Sequence, residues 1–276
     1  MRCEGALKKG QSMCMIRVPY LETNPTSTKW DRRRHKITFR LTVALLGAVL
    51  LIMLIAPAAY AVPMRIIILR HGEKQDNYAL CPVGQQRSLA LCARYLGKGA
   101  AKSLFPGGDT PAAIFATTLH CLELINPVAQ SYDLPIQLYS VVPINGQTAW
   151  EETVQLNQRT QEAAKSLLTD PRWDRKTVVV VWEHDHIAKA SLEKQFPGEK
   201  VTLRQLLNLD TLPNVPEDWY GGNYDYFWIV DYARPHSTKP TNFSLMKQNF
   251  PLPYDIVPNN EWGTDEDLPD GSGCEP

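Results

Sequence analysis

The chain lacks any net charge, with 29 Lys and Arg set against 29 Asp and Glu. A nucleic-acid partner therefore finds no support in the bulk composition. No internal repeat recurs along its 276 residues, which excludes a solenoid or an array of stacked units. There is no Cys-x-x-Cys pair and no His/Cys cluster at zinc-ligand spacing, so a structural metal is not expected. The length suits one sizeable domain, or two small ones at most.

The balanced charge is unevenly spread. Residues 1–40 are basic and end on Arg32-Arg33-Arg34, Lys36 and Arg40, whereas residues 258–276 carry Asp265, Glu266, Asp267 and Asp270. After the basic cluster comes the uncharged apolar run Leu41 to Ala61, closing on Ala59-Tyr60-Ala61. Positive residues, a hydrophobic stretch and a small-x-small triplet are the parts of a secretory signal, with cleavage after Ala61 leaving Val62 first. The run is also long enough for an uncleaved anchor, and the long basic segment would then stay cytoplasmic. Either way the domain after Ala61 is expected to be exported, periplasmic or extracellular, and to meet the inner membrane only through residues 41–61. In such a compartment Cys81, Cys92, Cys121 and Cys274 permit disulfides in three possible pairings, none of which the spacing selects. The Pro-, Gly- and acid-rich segment 258–276 reads as a disordered tail, leaving a domain of 62–257.

Within that domain, strands and helices alternate. Ile66-Ile67-Ile68-Leu69 and Val178-Val179-Val180-Val181-Trp182 are continuous apolar runs, as in strands buried on both faces of a parallel sheet. Further extended segments are expected at 112–117, 136–142 and 226–230, the last of them closing the sheet. Helices are expected at 82–96, up to Tyr132, at 153–168 and at 187–195. The fold class is therefore α/β: a three-layer sandwich with a mixed, mostly parallel sheet flanked by helices.

Ligands in such sheets bind at the carboxyl ends of the strands. The first strand ends at Arg70-His71-Gly72-Glu73, and the strand at 177–182 leads into Glu183-His184-Asp185-His186. Arg offers a fork for phosphate oxygens, and a neutral imidazole can attack phosphorus. If the two strands are neighbours, His71 and His184 face each other across one pocket, with Asp185 at its rim as a possible proton donor. Continued alternation along the strand would turn Glu183 and His186 away from that pocket.

Arg70-His71-Gly72-Glu73 followed by Asn77 resembles the Arg-His-Gly-Glu-x-x-x-Asn signature of the histidine phosphatase superfamily, the phosphoglycerate mutase-like enzymes. Leu80-Cys81-Pro82-Val83-Gly84-Gln85-Gln86-Arg87-Ser88 is similar to that family's Leu-Ser/Thr-x-x-Gly-x-x-Arg/Gln-Ala. Val179 to His184 matches the strand before its second catalytic His, in the Trp-Glu-His form of some bacterial and fungal members. The resemblance spans roughly residues 64–231. It implies His71 as nucleophile, Arg70 and Asn77 as phosphate ligands, His184 as a stabiliser of the transferring group, and no metal or organic cofactor. The family's second phosphate-binding Arg is replaced. Anchoring on Pro127 and Ala129 puts His120 at its position, where an imidazole lacks the bidentate fork. The general acid implied is Asp185, or else Glu151 or Glu152, which could instead simply open a helix.

The expected function is that of an exported phosphomonoesterase acting on a small phosphate ester through a phosphohistidine at His71. The alternative is a degenerate member that binds a phosphorylated or anionic ligand without turnover. Trp219, Tyr220 and Tyr224 are expected to pack rather than to stack on a substrate ring.

Overall fold

In the computed structural model, residues 61–276 are described, apart from 266, 269 and 276. The apolar run from Leu41 lies outside the described residues except for its last, Ala61. Among the described residues no helix is long and apolar enough to cross a membrane.

Six strands form one sheet. The four parallel strands are β1 (Arg65–Arg70), β2 (Ala113–Ala116), β3 (Ile136–Leu138) and β4 (Thr177–Trp182); β5 (Tyr226–Asp231) and β6 (Asn242–Lys247) follow. The order is β3-β2-β4-β1-β5-β6. β5 runs antiparallel to both β1 and β6, so the sheet is mixed. The strands at 66–69 and 178–182 are the central pair β1 and β4, in register from Arg65 opposite Thr177 to Arg70 opposite Trp182.

Alternation along these strands divides the core into two faces. Ile66, Ile68, Val178, Val180, Trp182 and Trp228 pack with Ala163, Ala164 and Leu167 of helix α3 (Ala149–Thr169). Ile67, Leu69, Val179 and Val181 pack instead on α1 (Pro82–Leu91) and α2 (Leu119–Tyr132), through Leu91, Leu124 and Ile125. Every one of these strand residues is buried, which is why the runs read as continuously apolar rather than alternating. The result is the three-layer α/β sandwich.

The helices have legible local causes. α1 begins at Pro82, whose fixed φ suits a first turn, and continues as a π-turn over Cys92–Leu96. α2 is capped by the Thr118 hydroxyl and contains Pro127. Proline has no N–H for the Glu123 carbonyl one turn back. The Ser88 hydroxyl of α1 lies against this turn, shared between Leu124 O at 2.7 Å and, more weakly, Glu123 O at 3.2 Å. The expected helix at 187–195 is two pieces, α4 (His184–Ile187) and α5 (Ala190–Gln195), because Ala188 and Lys189 adopt extended backbone angles. α6 (Leu203–Leu206) is the last α-helix among the described residues.

Two expectations differ from what is found. The sheet does not close on the strand at 226–230, since β6 pairs beyond it as an exposed edge. The described residues of the acidic tail are tied to the domain rather than free. Trp262 packs on Trp219 and Tyr226, and the Asn260 amide donates to Asp225. The Glu275 amide donates to Lys74 O, and Cys274 forms a disulfide with Cys81. Cys92 and Cys121 remain thiols, both pushed up in pKa by burial.

Candidate active site

Because β1 and β4 are adjacent and parallel, their carboxyl ends bring His71 and His184 together, with ring centroids 5.7 Å apart. His71 is buried at 1% exposure, and its amide donates to Trp182 O of β4. Its Nδ1 lies 2.8 Å from the Gly72 carbonyl. A carbonyl only accepts, so Nδ1 carries the proton and Nε2 the lone pair. Burial first, then Arg70 and Lys74, holds the imidazole well below its usual pKa and therefore neutral.

Arg70 is also buried. One guanidinium nitrogen donates to Gly221 O and the other to His71 Nε2 at 3.2 Å. The guanidinium lies 3.7 Å above the Tyr224 ring, whose edge also meets His71. No partner takes the Arg70 Nε hydrogen among the described residues. The segment around 218–226 thus does two things. Trp219 packs in the core, as expected, whereas Tyr224 forms part of the site wall.

Glu183 does not turn away. The strand ends at Trp182, and Glu183 becomes the N-cap of α4, its Oε2 accepting from the Asp185 amide at 2.8 Å. That swings Oε1 to 2.8 Å from His184 Nδ1 and 3.4 Å from His71 Nε2. The shorter distance is the hydrogen bond, with His184 Nδ1–H donating. Burial pushes the Glu183 carboxyl up in pKa, but the neighbouring His184 outweighs it and holds the group well below the usual range. His186 does leave the pair, and is buried with Nε2 2.9 Å from Asn157 Oδ1.

Beside this centre opens a cleft of about 250 Å³, whose lining includes Lys74, Asn77, His120, Glu152, Glu183 and Asp185. The His120 ring is 6.0 Å from that of His71. Its Nε2 lies 2.7 Å from Asp76 O, so this nitrogen donates and the neutral ring has no second N–H to offer. Burial lowers the pKa of His120 as well. Asp185 Oδ1 stands 3.2 Å from His184 Nε2 and 3.1 Å from Lys189 Nζ. Glu151 is spent elsewhere, in a capping box with Thr148 at the start of α3, and is not among the cleft residues.

Two motif residues prove to be supports. Glu73 and Arg87 form a buried ion pair, with 2.6 Å between Oε1 and a guanidinium nitrogen, and Arg87 also donates to Gln248. Gly84 allows α1 to lie against the Glu73 backbone, since any Cβ there would run into the Glu73 carbonyl. Gly72 has no left-handed backbone. Its value is room, because a Cβ would lie 3.1 Å from Leu124 and 3.2 Å from Leu80.

His71, Glu183 and His184 present one donor atom each within 4.8 Å of one another, a set that could ligate a metal. Arg70 already directs a guanidinium nitrogen to within 3.2 and 3.3 Å of the two imidazole nitrogens. A cation bound there would lie against another cation.

No protein-family model matches the chain, and no curated protein does. Solved structures that it resembles include a mycobacterial glucosyl-3-phosphoglycerate phosphatase. The identity is 13% and the TM-score 0.34, over 68% of this chain and 99% of that one.

Proposed function

We propose that the domain is a phosphatase of the histidine phosphatase type, exported from the cytoplasm and acting on a small phosphate monoester. The observation that carries this reading is the state of His71: a neutral imidazole whose Nδ1–H is held by Gly72 O, leaving the Nε2 lone pair beside the Arg70 guanidinium. A nucleophile needs that lone pair, and a transferring phosphoryl group needs a preorganised cation next to it. The unspent Nε hydrogen of buried Arg70 is a further donor for an anion.

In this reading Nε2 of His71 attacks phosphorus, the ester P–O bond breaks, and a carboxylic acid in the cleft protonates the departing oxygen. Water then gives a proton back to that carboxylate as it attacks the phosphohistidine, the P–N bond breaks, and inorganic phosphate leaves. The full chain is expected to hydrolyse an aryl phosphate and to yield an acid-labile phosphoprotein on rapid quenching. His71→Ala should abolish both.

A second reading, anion binding without turnover, is favoured by His120. Where an arginine fork is expected, the one N–H of the neutral ring is already given to Asp76 O. Phosphate binding without hydrolysis anywhere between about pH 4 and 8, a span that covers the ordinary carboxylate and imidazole pKa values, would replace the first reading with this one.

A further inference from the structure

Glu183 is a charged group of the site that the proposed reaction leaves without a task. Its Oε1 stands 3.4 Å from His71 Nε2. A phosphorus poised for attack sits roughly 3–3.5 Å from its nucleophile. The phosphoryl oxygens would therefore arrive in contact with this carboxylate.

Resting on the phosphatase reading above, we propose that Glu183 is a specificity-determining residue. It admits a phosphoryl group carrying one negative charge and one proton, and it discriminates against the dianion. A singly charged phosphate can donate its P–O–H to the carboxylate in a short charge-assisted hydrogen bond. A dianion has no proton to give and meets like charge in a site screened from water.

The surrounding charges do not cancel this effect. Facing Glu183 from the end of β1 are Arg70, His71 and, across the cleft, Lys74. From α2 come His120 and Cys121, and from α3 comes Glu152, another carboxylate. On its own element are His184, Asp185 and His186, with Asp185 paired to Lys189. Burial keeps His71, His120 and His186 low in pKa, so these imidazoles add no compensating charge near neutrality. The cations Arg70 and Lys74 thus share this region with two carboxylates, Glu183 and Glu152.

The test uses two inorganic anions on the full chain, with binding measured by titration calorimetry at pH 5 and pH 8. Phosphate gains charge between those values, whereas sulfate is a dianion at both, so sulfate reports any titration of the protein itself. Wild type is expected to bind phosphate at least tenfold more tightly than sulfate at pH 5, with that preference lost at pH 8. Glu183→Gln keeps an oxygen to cap the Asp185 amide, and should bind sulfate at least tenfold more tightly than wild type at pH 8. A Glu183→Gln protein no better for sulfate than wild type would overturn the proposal. Should that variant not fold, wild type alone decides: equal affinity for sulfate and phosphate at pH 5 also overturns it. Absence of phosphate binding to folded wild type at either pH would bring down the phosphatase reading itself, a distinct result.

Discussion

A carboxylic acid that serves a departing oxygen has to stand free of other duties, and by this measure the three candidates differ. Glu151 has none to spare, because its carboxylate accepts from the Thr148 amide at 2.8 Å and hydroxyl at 2.9 Å. Glu152 and Asp185 both reach the cleft, Asp185 with one oxygen paired to Lys189 Nζ at 3.1 Å. Asp185 is nearer the histidine pair, at 3.2 Å from His184 Nε2. Removal of a general acid typically costs about 10²–10⁴ in rate, and the loss concentrates on leaving groups that need a proton. Asp185→Asn is therefore expected to slow alkyl phosphates at least a hundredfold while sparing nitrophenyl phosphate. Equal slowing of both would move the role to Glu152. The sequence put Asp185 first but could not separate Glu151 from Glu152, since a capping box and an open cleft present the same Glu-Glu pair. Glu183 was misleading for another reason. Alternation applies only while the strand lasts, and here the strand stops one residue before it.

At the scale of elements, the loop bearing His71 is held from behind by α1. Gly84 lets the helix approach, and Arg87 of the same helix clasps Glu73 with the pair 1% exposed on both sides. Breaking a buried pair strands the other charge, at a cost of about 3–5 kcal/mol. Arg87→Met should lower the unfolding free energy by about that much in a denaturant titration. A loss under about 1 kcal/mol, within the range of exposed pairs, would show that water reaches Glu73. The central strands were readable because burial on both faces gives unbroken apolar runs. β6 was not, because an edge strand with exposed Asn242 and Ser244 lacks that signature. The break between α4 and α5 was hidden too, since nothing in Ala188-Lys189 forbids helix locally.

For the whole molecule, three buried histidines make stability depend on pH. His71, His120 and His186 all have pKa values lowered from the ordinary 6.5, chiefly by burial. The unfolded chain therefore takes up protons that the folded one refuses, and stability declines as pH falls below about 6.5. Each such group contributes up to about 1.4 kcal/mol per pH unit. Lowered carboxyl pKa values at Asp76, Asp170 and Glu183 act in the same direction at still lower pH. The melting temperature should be flat between pH 8 and 7 and drop steadily from 7 to 5. A constant value across the lower range would mean that the imidazoles are solvated.

The tail belongs to this scale as well. Composition suggested disorder, yet the tail is fastened by one cysteine, one tryptophan and a few hydrogen bonds, none of which registers in an average over the segment. Cys81–Cys274 spans 193 residues, and a cross-link of such length contributes about 2–5 kcal/mol. Replacing both cysteines with serine should lower stability by that amount, as read from the denaturant midpoint under oxidising conditions; an unchanged midpoint would show that the bridge does not form.

That bridge also divides the chain topologically. It closes a covalent ring from residue 81 to residue 274 that contains five of the six strands, β2 through β6. The remaining strand, β1, lies outside the ring and is wedged between two of its members, β4 and β5. The strand that ends in Arg70, just before His71, is thus the one strand of this sheet that the cross-link does not enclose. However tightly the ring is sealed, His71 is positioned by the hydrogen bonds and packing of β1 and not by the cross-link itself.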